Sequence, residues 1–230
     1  MLRNAELKRE AKEMLKGRWK ESILMCLVPT IIAILLAAII LIPTIILFQD
    51  SIANLSDPYA TPSGGTGGTS GGSGIISGII SAFFTVGISW TFLDIFRGEK
   101  VLITPFKDVF RGFRSPYALA IIVVYILQSI FTFLWTLLFI IPGIVKSYSY
   151  SQAYNIYYDT YKQTGEKPSY LNTITASRRL MNGHKGQLFL LDLSFIGWHI
   201  LAILTLGIGY IWLNPYIYAT KTAFYNNLPK

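Results

Sequence analysis

The chain has 230 residues, of which 52% are hydrophobic and only 14% are charged, and its mean hydropathy is +0.47. Soluble domains carry about a quarter charged residues, so this composition excludes an ordinary soluble domain and indicates a membrane protein. The net charge of +8 does not indicate nucleic-acid binding, because the basic residues lie between long apolar runs. The expected partner is a bilayer with anionic headgroups on its cytoplasmic side.

The N-terminal residues 1–21 predict a basic amphipathic helix. They combine an apolar face with lysines and arginines on the opposite face, which is typical of a helix on the cytoplasmic membrane surface. The apolar run that follows has 27 residues, against about 7–15 in the core of a signal peptide, so we expect it to remain as an anchor. The single cysteine, Cys26, is expected to be a small buried apolar side chain rather than a reactive thiol.

Six segments of residues 22–230 are predicted to cross the membrane. A crossing helix needs about 20 apolar residues; four runs satisfy this, a fifth is shorter and more aromatic, and one is polar. The Gly/Ser/Thr-rich segment between the first two predicts a flexible external loop, residues 49–74. We therefore expect an all-α polytopic membrane protein with six spans in three hairpins, at about 22–48, 75–96, 117–141, 143–161, 187–206 and 207–225.

The polar segment 143–161 decides the topology. It carries a lysine and many tyrosines and serines, and it follows Pro142 and Gly143, where a helix is expected to break. If this segment crosses, 19 of the 20 Lys and Arg residues lie on the cytoplasmic side, and the positive-inside rule is satisfied. The sequence therefore predicts a crossing helix inside the bundle, because polar groups are costly against lipid, and it predicts both termini in the cytoplasm.

Two further basic segments, 105–113 and 168–185, are predicted to be cytoplasmic helices at the membrane surface. Each combines apolar residues at helical spacing with lysines or arginines, a pattern that binds headgroups electrostatically and inserts shallowly. The expected contacts with anionic lipid come from the basic residues of all three amphipathic segments: Lys8, Arg9, Lys12, Lys16, Arg111, Arg114, Arg178 and Arg179.

Polar residues inside the predicted spans form the candidate site. Asp192 and His199 are seven residues apart and share a helix face, and Asn155 and Asn214 lie at similar depths in neighbouring spans. Two interpretations stay open: a path for protons or a small solute, or a few buried hydrogen bonds that lock the helices together. Lys146 is also in a span; we expect it near the outer end, where it can reach headgroups, and too far from Asp192 for a direct ion pair.

Enzyme motifs are missing from the sequence. It contains no His-Glu-x-x-His zinc motif, no Gly-x-Ser-x-Gly nucleophile motif and no Cys/His cluster with metal-ligand spacing. Its two histidines are too few for a His-rich metal site. We therefore expect no enzymatic activity, no catalytic residues, no metal and no cofactor.

Three stretches carry a family resemblance. They are LKREAKEMLKGRWKESI near the N-terminus, IIPGIVKSYSYSQA around Pro142, and the C-terminal GHKGQLFLLDLSFIGWHILAILTLGIGYIWLNPYIYATKTAFYNNL. Together they resemble the DUF975 family, multi-pass membrane proteins of Gram-positive bacteria without an assigned function. The resemblance implies a multi-pass protein of the bacterial cell membrane and supplies no catalytic residues, and the glycine-rich tract lies outside its pattern.

Two functions fit these patterns. The first is a non-enzymatic protein that organises or senses the cell envelope through contacts with lipids and with proteins, a second copy of itself included. The second is a small transporter or permease that uses the polar residues of the last three predicted spans. A water-filled cavity that reaches Asp192 would favour the transporter, and a dry, fully hydrogen-bonded interior would favour the organiser.

Overall fold

A computed structural model describes residues 2–55, 70–114 and 116–229, and every regular element in these ranges is helical. The all-α prediction is confirmed for this part of the chain, whereas most of the predicted external loop 49–74 lies outside the described residues. The helices are α1 (Asn4–Leu15), α2 (Trp19–Leu55), α3 (Ser70–Phe96), α4 (Pro105–Val109), α5 (Tyr117–Leu138), α6 (Ile140–Tyr150), α7 (Ala153–Thr164), α8 (Tyr170–Leu180), α9 (Lys185–Leu193), α10 (Ile196–Leu204) and α11 (Tyr210–Asn226), with a 3₁₀ turn at Phe110–Phe113.

Four helical stretches of the described residues are long and apolar enough to cross a membrane: Trp19–Pro43, Gly74–Phe96, Tyr117–Leu138 and Lys185–Leu204. Their mean hydropathies lie between 1.7 and 3.0, and they expose many large apolar side chains that a soluble protein would bury. The polar α6–α7 segment and the short α11 do not meet the same criterion, so the six-span arrangement stays a prediction.

Helix α3 is the centre of the bundle. Buried residues make up 44% of its most apolar window, against 17% for α5. It packs against α11, α4, α5, α7 and the 3₁₀ turn, and its Trp90, Phe92 and Leu93 are almost fully buried. The approach of α4 to α3 is so close that a Cβ at Gly87 would lie 2.5 Å from the Val109 carbonyl oxygen. Only glycine fits at that contact.

Helix α1 has the predicted amphipathic pattern, but its apolar face packs against protein. Leu7, Ala11 and Leu15 are 0% exposed, and α1 contacts α11 along its length and α9 more briefly. A hydrogen bond of 2.8 Å from the Asn227 amide to the Glu10 carboxylate fixes the end of α11 to it. Burial against α11 removes this apolar face from the lipid surface, so only the basic face remains for headgroups.

The other two amphipathic segments also pack onto the bundle. Segment 105–113 forms α4 and the 3₁₀ turn instead of one helix; Val109 is buried and the Phe113 ring stacks on Phe83 at 4.4 Å. In α8, Ile174 is buried, and the Ser177 hydroxyl donates a 2.9 Å hydrogen bond to a carbonyl of α6. Both segments therefore place part of their apolar surface on neighbouring helices, where the sequence predicted lipid.

The helix that follows α5 begins earlier than predicted. The chain turns at Phe139, where the backbone is extended (φ −158°), and Pro142 is the third residue of α6, a position where no backbone donor is needed. Gly143 lies against Thr136, and a Cβ there would overlap that side chain. A second interruption separates α6 from α7 at residues 151 and 152. Three serines of this stretch donate to carbonyls three or four residues earlier, which tends to bend a helix.

Candidate functional site: a polar cavity among five helices and α11

A cavity of about 820 Å³ lies between α3, α6–α7, α9–α10 and α11. Its volume is in the range of small-molecule binding sites, about 300–1,000 Å³. Apolar residues form part of its wall, and the remaining wall is polar. We refer to it as the polar cavity, and its polar residues are Thr85, Ser89, Ser147, Tyr148, Ser151, Gln152, Asn155, Asp192, His199, Asn214, Tyr218, Lys221 and Thr222.

Helical periodicity brings these residues to one volume. Asp192 and His199 lie on one face of the α9–α10 segment, and Asn214, Tyr218 and Lys221 lie on one face of α11. The spacings of seven in the first pair, and of four and seven in the second group, each return to the same side of a helix. Two neighbouring helical segments, each with one polar face, therefore line the cavity.

An ion pair lies at the cavity wall. The Asp192 carboxylate accepts from the Lys221 ammonium at 2.8 Å and from the Tyr148 hydroxyl at 3.1 Å. The side chains of Asp192 and Lys221 are 29% and 44% exposed, so the pair faces the open volume instead of packed side chains. A charge pair that keeps an open face can exchange one partner for a charged ligand.

Amide and hydroxyl groups form a second part of the wall. The Ser89 hydroxyl donates to the Asn155 side-chain oxygen at 3.2 Å and lies 3.5 Å from the Thr222 hydroxyl. The Asn155 amide group in turn donates to the Gln152 side-chain oxygen at 3.2 Å. These bonds join α3, α7 and α11, and they orient groups that can both donate and accept.

The third part of the wall contains a free amide. The ring nitrogen Nδ1 of His199 lies 3.3 Å from the Tyr210 hydroxyl, and its other ring nitrogen has no hydrogen-bond partner among the described residues. The side chain of Asn214 has no hydrogen-bond partner in ranges 2–55, 70–114 and 116–229. Polar groups inside a helix bundle are normally paired, so an unpaired amide in a cavity is available to a ligand.

The structure places four of the five intramembrane candidates at this cavity: Asn155, Asp192, His199 and Asn214. Lys146 lies elsewhere, with its ammonium 4.3 Å from the centre of the Trp135 ring, and it lines another pocket together with Arg178 of α8. It therefore shares its level in the bundle with a residue predicted to be cytoplasmic. The sequence analysis missed Lys221, although its spacing of seven from Asn214 was a usable signal.

A second polar cluster, the paired network, lies at the end of α3 that leads to the predicted cytoplasmic side. Arg97 binds Asp159 through two hydrogen bonds of 2.6 and 2.9 Å, and the Tyr225 hydroxyl donates to the same carboxylate at 2.7 Å. Asp94 accepts from Arg111 at 2.8 Å and from Tyr158 at 2.7 Å. The residues of the paired network are Asp94, Arg97, Arg111, Tyr158, Asp159, Lys162 and Tyr225.

The two carboxylates of the paired network are occupied by its own contacts, and Asp159 and Tyr225 also reach the wall of a separate pocket. The side chains of Asp94 and Asp159 are 8% and 9% exposed, and the Tyr158 ring stacks on Trp90 at 4.7 Å. Hydrogen bonds to Asp159 raise the pKa of Arg97 above its usual value. These are the features of a structural ion-pair network.

The predicted lipid contacts fall into two groups. Six are exposed: Arg9, Lys12, Lys16, Arg114, Arg178 and Arg179. Arg111 is turned inward to Asp94. The ammonium group of Lys8 lies 3.4 Å from the Ser194 carbonyl oxygen and 4.4 Å from the Phe195 ring centre, and burial lowers the pKa of Lys8.

No group of three or more His, Cys, Asp and Glu side chains in the described part of the chain is placed to hold a metal ion. The expectations of no metal, no cofactor and no catalytic residue stay predictions.

In the part of the chain that the structure describes, the fold and the cavity define an all-helical protein with four helices suited to cross a membrane and a polar site between its helices. The chain belongs to the DUF975 family, described as a protein of unknown function, whose sequence profile matches residues 1–165 and 137–230. The resemblance found in the sequence is thereby confirmed over the whole chain. Neither the curated proteins nor the solved structures give a match.

Proposed function

We propose that this protein is a small-solute transporter of the cell membrane and that the polar cavity is its binding site. The observation that carries the proposal is the open volume of about 820 Å³ between the Asp192–Lys221 pair and the unpaired Asn214 amide. Polar residues that only lock helices together bond to one another and leave no space. The proposal includes no chemical reaction on the solute.

Interrupted helices next to the cavity support transport. The segment that contains α6 and α7 is interrupted between these two helices, and the neighbouring segment is interrupted at Ser194 and Phe195, between α9 and α10. Transport sites are commonly built where spanning helices are broken, because the breaks free backbone groups and let segments move independently. Both breaks lie within three residues of a cavity residue, Asn155 or Asp192.

The chemistry of the wall suggests the class of solute. Asp192 offers a carboxylate, Lys221 offers an ammonium group, and Asn214 and His199 add further hydrogen-bonding groups. A small solute with a positive and a negative group would replace each half of the ion pair with a matching charge. A zwitterion of this kind also enters an apolar environment at lower cost when both its charges are met.

The topology proposed with this function has six spans and both termini in the cytoplasm. Side-chain contacts pair Thr85 with Tyr218 at 3.4 Å and Arg97 with Asn226 at 3.4 Å, so α3 and α11 run parallel. If α3 crosses toward the cytoplasm, α11 does so too. The distribution of Lys and Arg residues supports this orientation, and the family resemblance supports a Gram-positive cell membrane.

Cysteine accessibility tests the cavity. In a Cys26→Ser background, single cysteines are introduced at Ser147 and Asn214 in the cavity wall and at the apolar, exposed Leu134 of α5 as the matched control. Vesicles are treated with a membrane-impermeant maleimide. We expect labelling at Ser147 and Asn214 and none at Leu134, because a thiol reacts in water and is protected in lipid.

The outcome separates the two hypotheses. Failure of both cavity cysteines to react, in protein that is labelled fully after denaturation, would mean a dry interior and would overturn the transporter. Protection of the Ser147 cysteine, which leaves Asn214 in place, by millimolar amounts of a zwitterionic amino acid, and not by the same concentration of a sugar, would support the proposed solute class.

Labelling of whole cells tests the topology separately. Cysteines at Ser63 and Gly165 lie in the predicted external loop and in the predicted cytoplasmic loop. We expect the impermeant reagent to label Ser63 alone in intact cells and both positions after permeabilisation. Labelling at Gly165 in intact cells would contradict the crossing of α6–α7.

Envelope organisation through lipid and protein contacts is the second candidate function. It is favoured by the six exposed basic residues of the amphipathic segments, which match an anionic bilayer surface. A homo-oligomer or another membrane protein is the further partner that this function would need, and nucleic acid is not expected. If the protein transports no solute and its cavity is dry, envelope organisation becomes the better-supported function.

A further inference from the structure

A second pocket, separate from the polar cavity, lies between α5, α6 and α8 and has a volume of about 250 Å³. We propose that it binds the phosphate headgroup of an anionic phospholipid. We refer to it as the headgroup pocket, and the residues that carry the argument are Phe131, Trp135, Lys146, Tyr150, Leu171 and Arg178. The proposal depends neither on transport nor on a solute in the polar cavity.

Two cations without a carboxylate partner line this pocket. Lys146 and Arg178 both reach it, its wall contains no Asp or Glu, and neither cation forms an ion pair within the described ranges. A pair of cations held together without a counter-ion favours an anionic ligand. Arg178 supplies the planar donor fork that matches a phosphate, and Lys146 adds a compact point charge.

Lys146 is held in position before any ligand arrives. Its ammonium group lies 4.3 Å from the centre of the Trp135 ring, a cation–π contact that orients the charge. Trp135 lies on α5 and Lys146 on α6, so the contact spans the tight turn between these helices. A cation fixed in this way loses little conformational freedom when a headgroup binds.

The position of Arg178 is fixed through its neighbour in α8. The Ser177 hydroxyl donates to the Ser149 carbonyl oxygen at 2.9 Å and accepts from the Gln152 backbone amide at 3.2 Å. These bonds seat the last turns of α8 on the break between α6 and α7. Two residues that are 32 positions apart in sequence thereby line the same pocket.

The apolar surroundings indicate a phospholipid instead of a free anion. Phe131, Trp135 and Leu171 form a wall of the pocket, and the adjoining surfaces of α5 and α6 expose large apolar residues. Leu134, Leu138 and Ile141 are 52%, 65% and 75% exposed there. A phosphate held by the two cations would leave its acyl chains along this apolar surface, where they bury additional area.

The pocket uses a different face of α6 from the polar cavity. Lys146 and Tyr150 line the headgroup pocket, whereas Ser147, Tyr148 and Ser151 line the cavity. At about 100° per residue, Lys146 and Tyr150 point away from the side that faces the cavity. Variants of the pocket can therefore be made without touching the proposed solute site.

Native mass spectrometry of the full chain in detergent tests the proposal. The double variant Lys146→Gln and Arg178→Gln is compared with the matched control Lys107→Gln and Lys167→Gln, which removes the same charge from exposed positions outside the pocket. Binding is titrated with phosphatidylglycerol and with phosphatidylcholine of the same chain length. We expect the pocket variant to bind phosphatidylglycerol about tenfold more weakly, and the control to change by less than about twofold.

Two further arms identify the source of the phosphate. Soluble glycerol phosphate should displace the lipid only at concentrations at least about 100-fold above that of the lipid, because it buries no acyl chain. Quenching of tryptophan fluorescence by phosphatidylglycerol with brominated chains should fall in the Trp135→Phe variant. Arg178→Gln alone removes an exposed side chain, so it is expected to fold and to weaken binding about threefold.

Three results would overturn the proposal. Equal weakening in the control variant would show diffuse attraction to the basic surface. Equal binding of phosphatidylcholine would exclude charge recognition. Competition by glycerol phosphate at lipid concentrations would show a free-anion site, and none of these results would bear on solute accessibility in the polar cavity.

Discussion

The polar cavity and the paired network both contain polar residues of α3, α7 and α11. They differ in whether these residues are already bound by other side chains or still face open volume. In the network, Asp94 and Asp159 are each bound by an arginine and a tyrosine and are less than a tenth exposed. In the cavity, Asp192 and Lys221 are about a third to a half exposed and face open volume. The bundle therefore holds one polar cluster whose carboxylates are already paired and another whose polar groups still face an open volume.

Loss of an arginine from the network is expected to have the largest effect on stability. Arg97→Gln leaves the buried Asp159 carboxylate without its main counter-ion, and removal of one partner of a buried pair costs about 3–5 kcal/mol in the free energy of unfolding. For a chain of this size the melting temperature should fall by roughly 6–20 °C. Thermal unfolding of the detergent-purified protein, followed by size-exclusion chromatography, measures the change.

Lys162→Gln provides the matched control for this prediction. Lys162 also binds into the network, through Asp94 and Glu99, but its side chain is 40% exposed. Exposed pairs contribute about 0–1 kcal/mol, so we expect a fall of less than about 4 °C. Equal losses in the two variants would mean that the network does not depend on burial.

The close contact between α3 and α4 should respond next most strongly. Gly87→Ala places a Cβ 2.5 Å from the Val109 carbonyl oxygen, and overpacking of this kind costs about 1–3 kcal/mol. Gly74→Ala in the same helix meets nothing within 4 Å and should be neutral or slightly stabilising, since alanine is the better helix former. Melting temperatures of the two variants test this; a Gly87→Ala protein as stable as the parent would mean that α4 can move away from α3.

Helical periodicity predicted much of the cavity but little of the network. The spacing of Asp192 and His199 placed both on one face, and the polar character of segment 143–161 placed Asn155 on an interior helix. These inferences need only the pitch of one helix at a time. The same rule reaches Lys221, which was passed over because a basic residue near the chain end was assigned to the cytoplasm.

The network depends on packing between elements that are far apart in sequence. Arg97 and Asp159 are 62 positions apart, and Arg111 and Asp94 meet only because the 3₁₀ turn folds back on α3. No spacing rule relates such pairs, so Arg111 was predicted to contact lipid from its charge alone. Likewise, the apolar face of α1 was assigned to the membrane because the pattern cannot say whether lipid or α11 covers it.

The ion pair of the cavity should contribute little to stability and much to function. Asp192→Asn and Lys221→Gln each break a pair that is partly exposed, so we expect changes below about 1 kcal/mol in the free energy of unfolding. Each variant should nevertheless abolish the protection of a cysteine at Ser147 by a zwitterionic solute. Retained protection in both variants, with unchanged labelling in the absence of solute, would remove the pair from the proposed site. A loss of stability as large as that of Arg97→Gln would make the pair structural.

The smallest expected change in melting temperature comes from Glu10, which lies where α1 meets α11. Burial raises the pKa of Glu10, the hydrogen bond from Asn227 acts in the opposite direction, and Glu13 adds to the increase. A carboxyl whose folded pKa is raised binds its proton more tightly in the native state, so its favourable contribution is present at low pH and is lost as the pH rises through the folded pKa. Glu10→Gln keeps an oxygen for Asn227 and removes the charge. We expect it to raise the melting temperature by less than about 3 °C at pH 7.5, and by less again at pH 5, where the parent is partly protonated. An increase in melting temperature that is larger at pH 5 than at pH 7.5 would contradict this pH dependence. It would mean that the contact of α1 with α11 needs the Glu10 carboxylate, as the paired network needs that of Asp159.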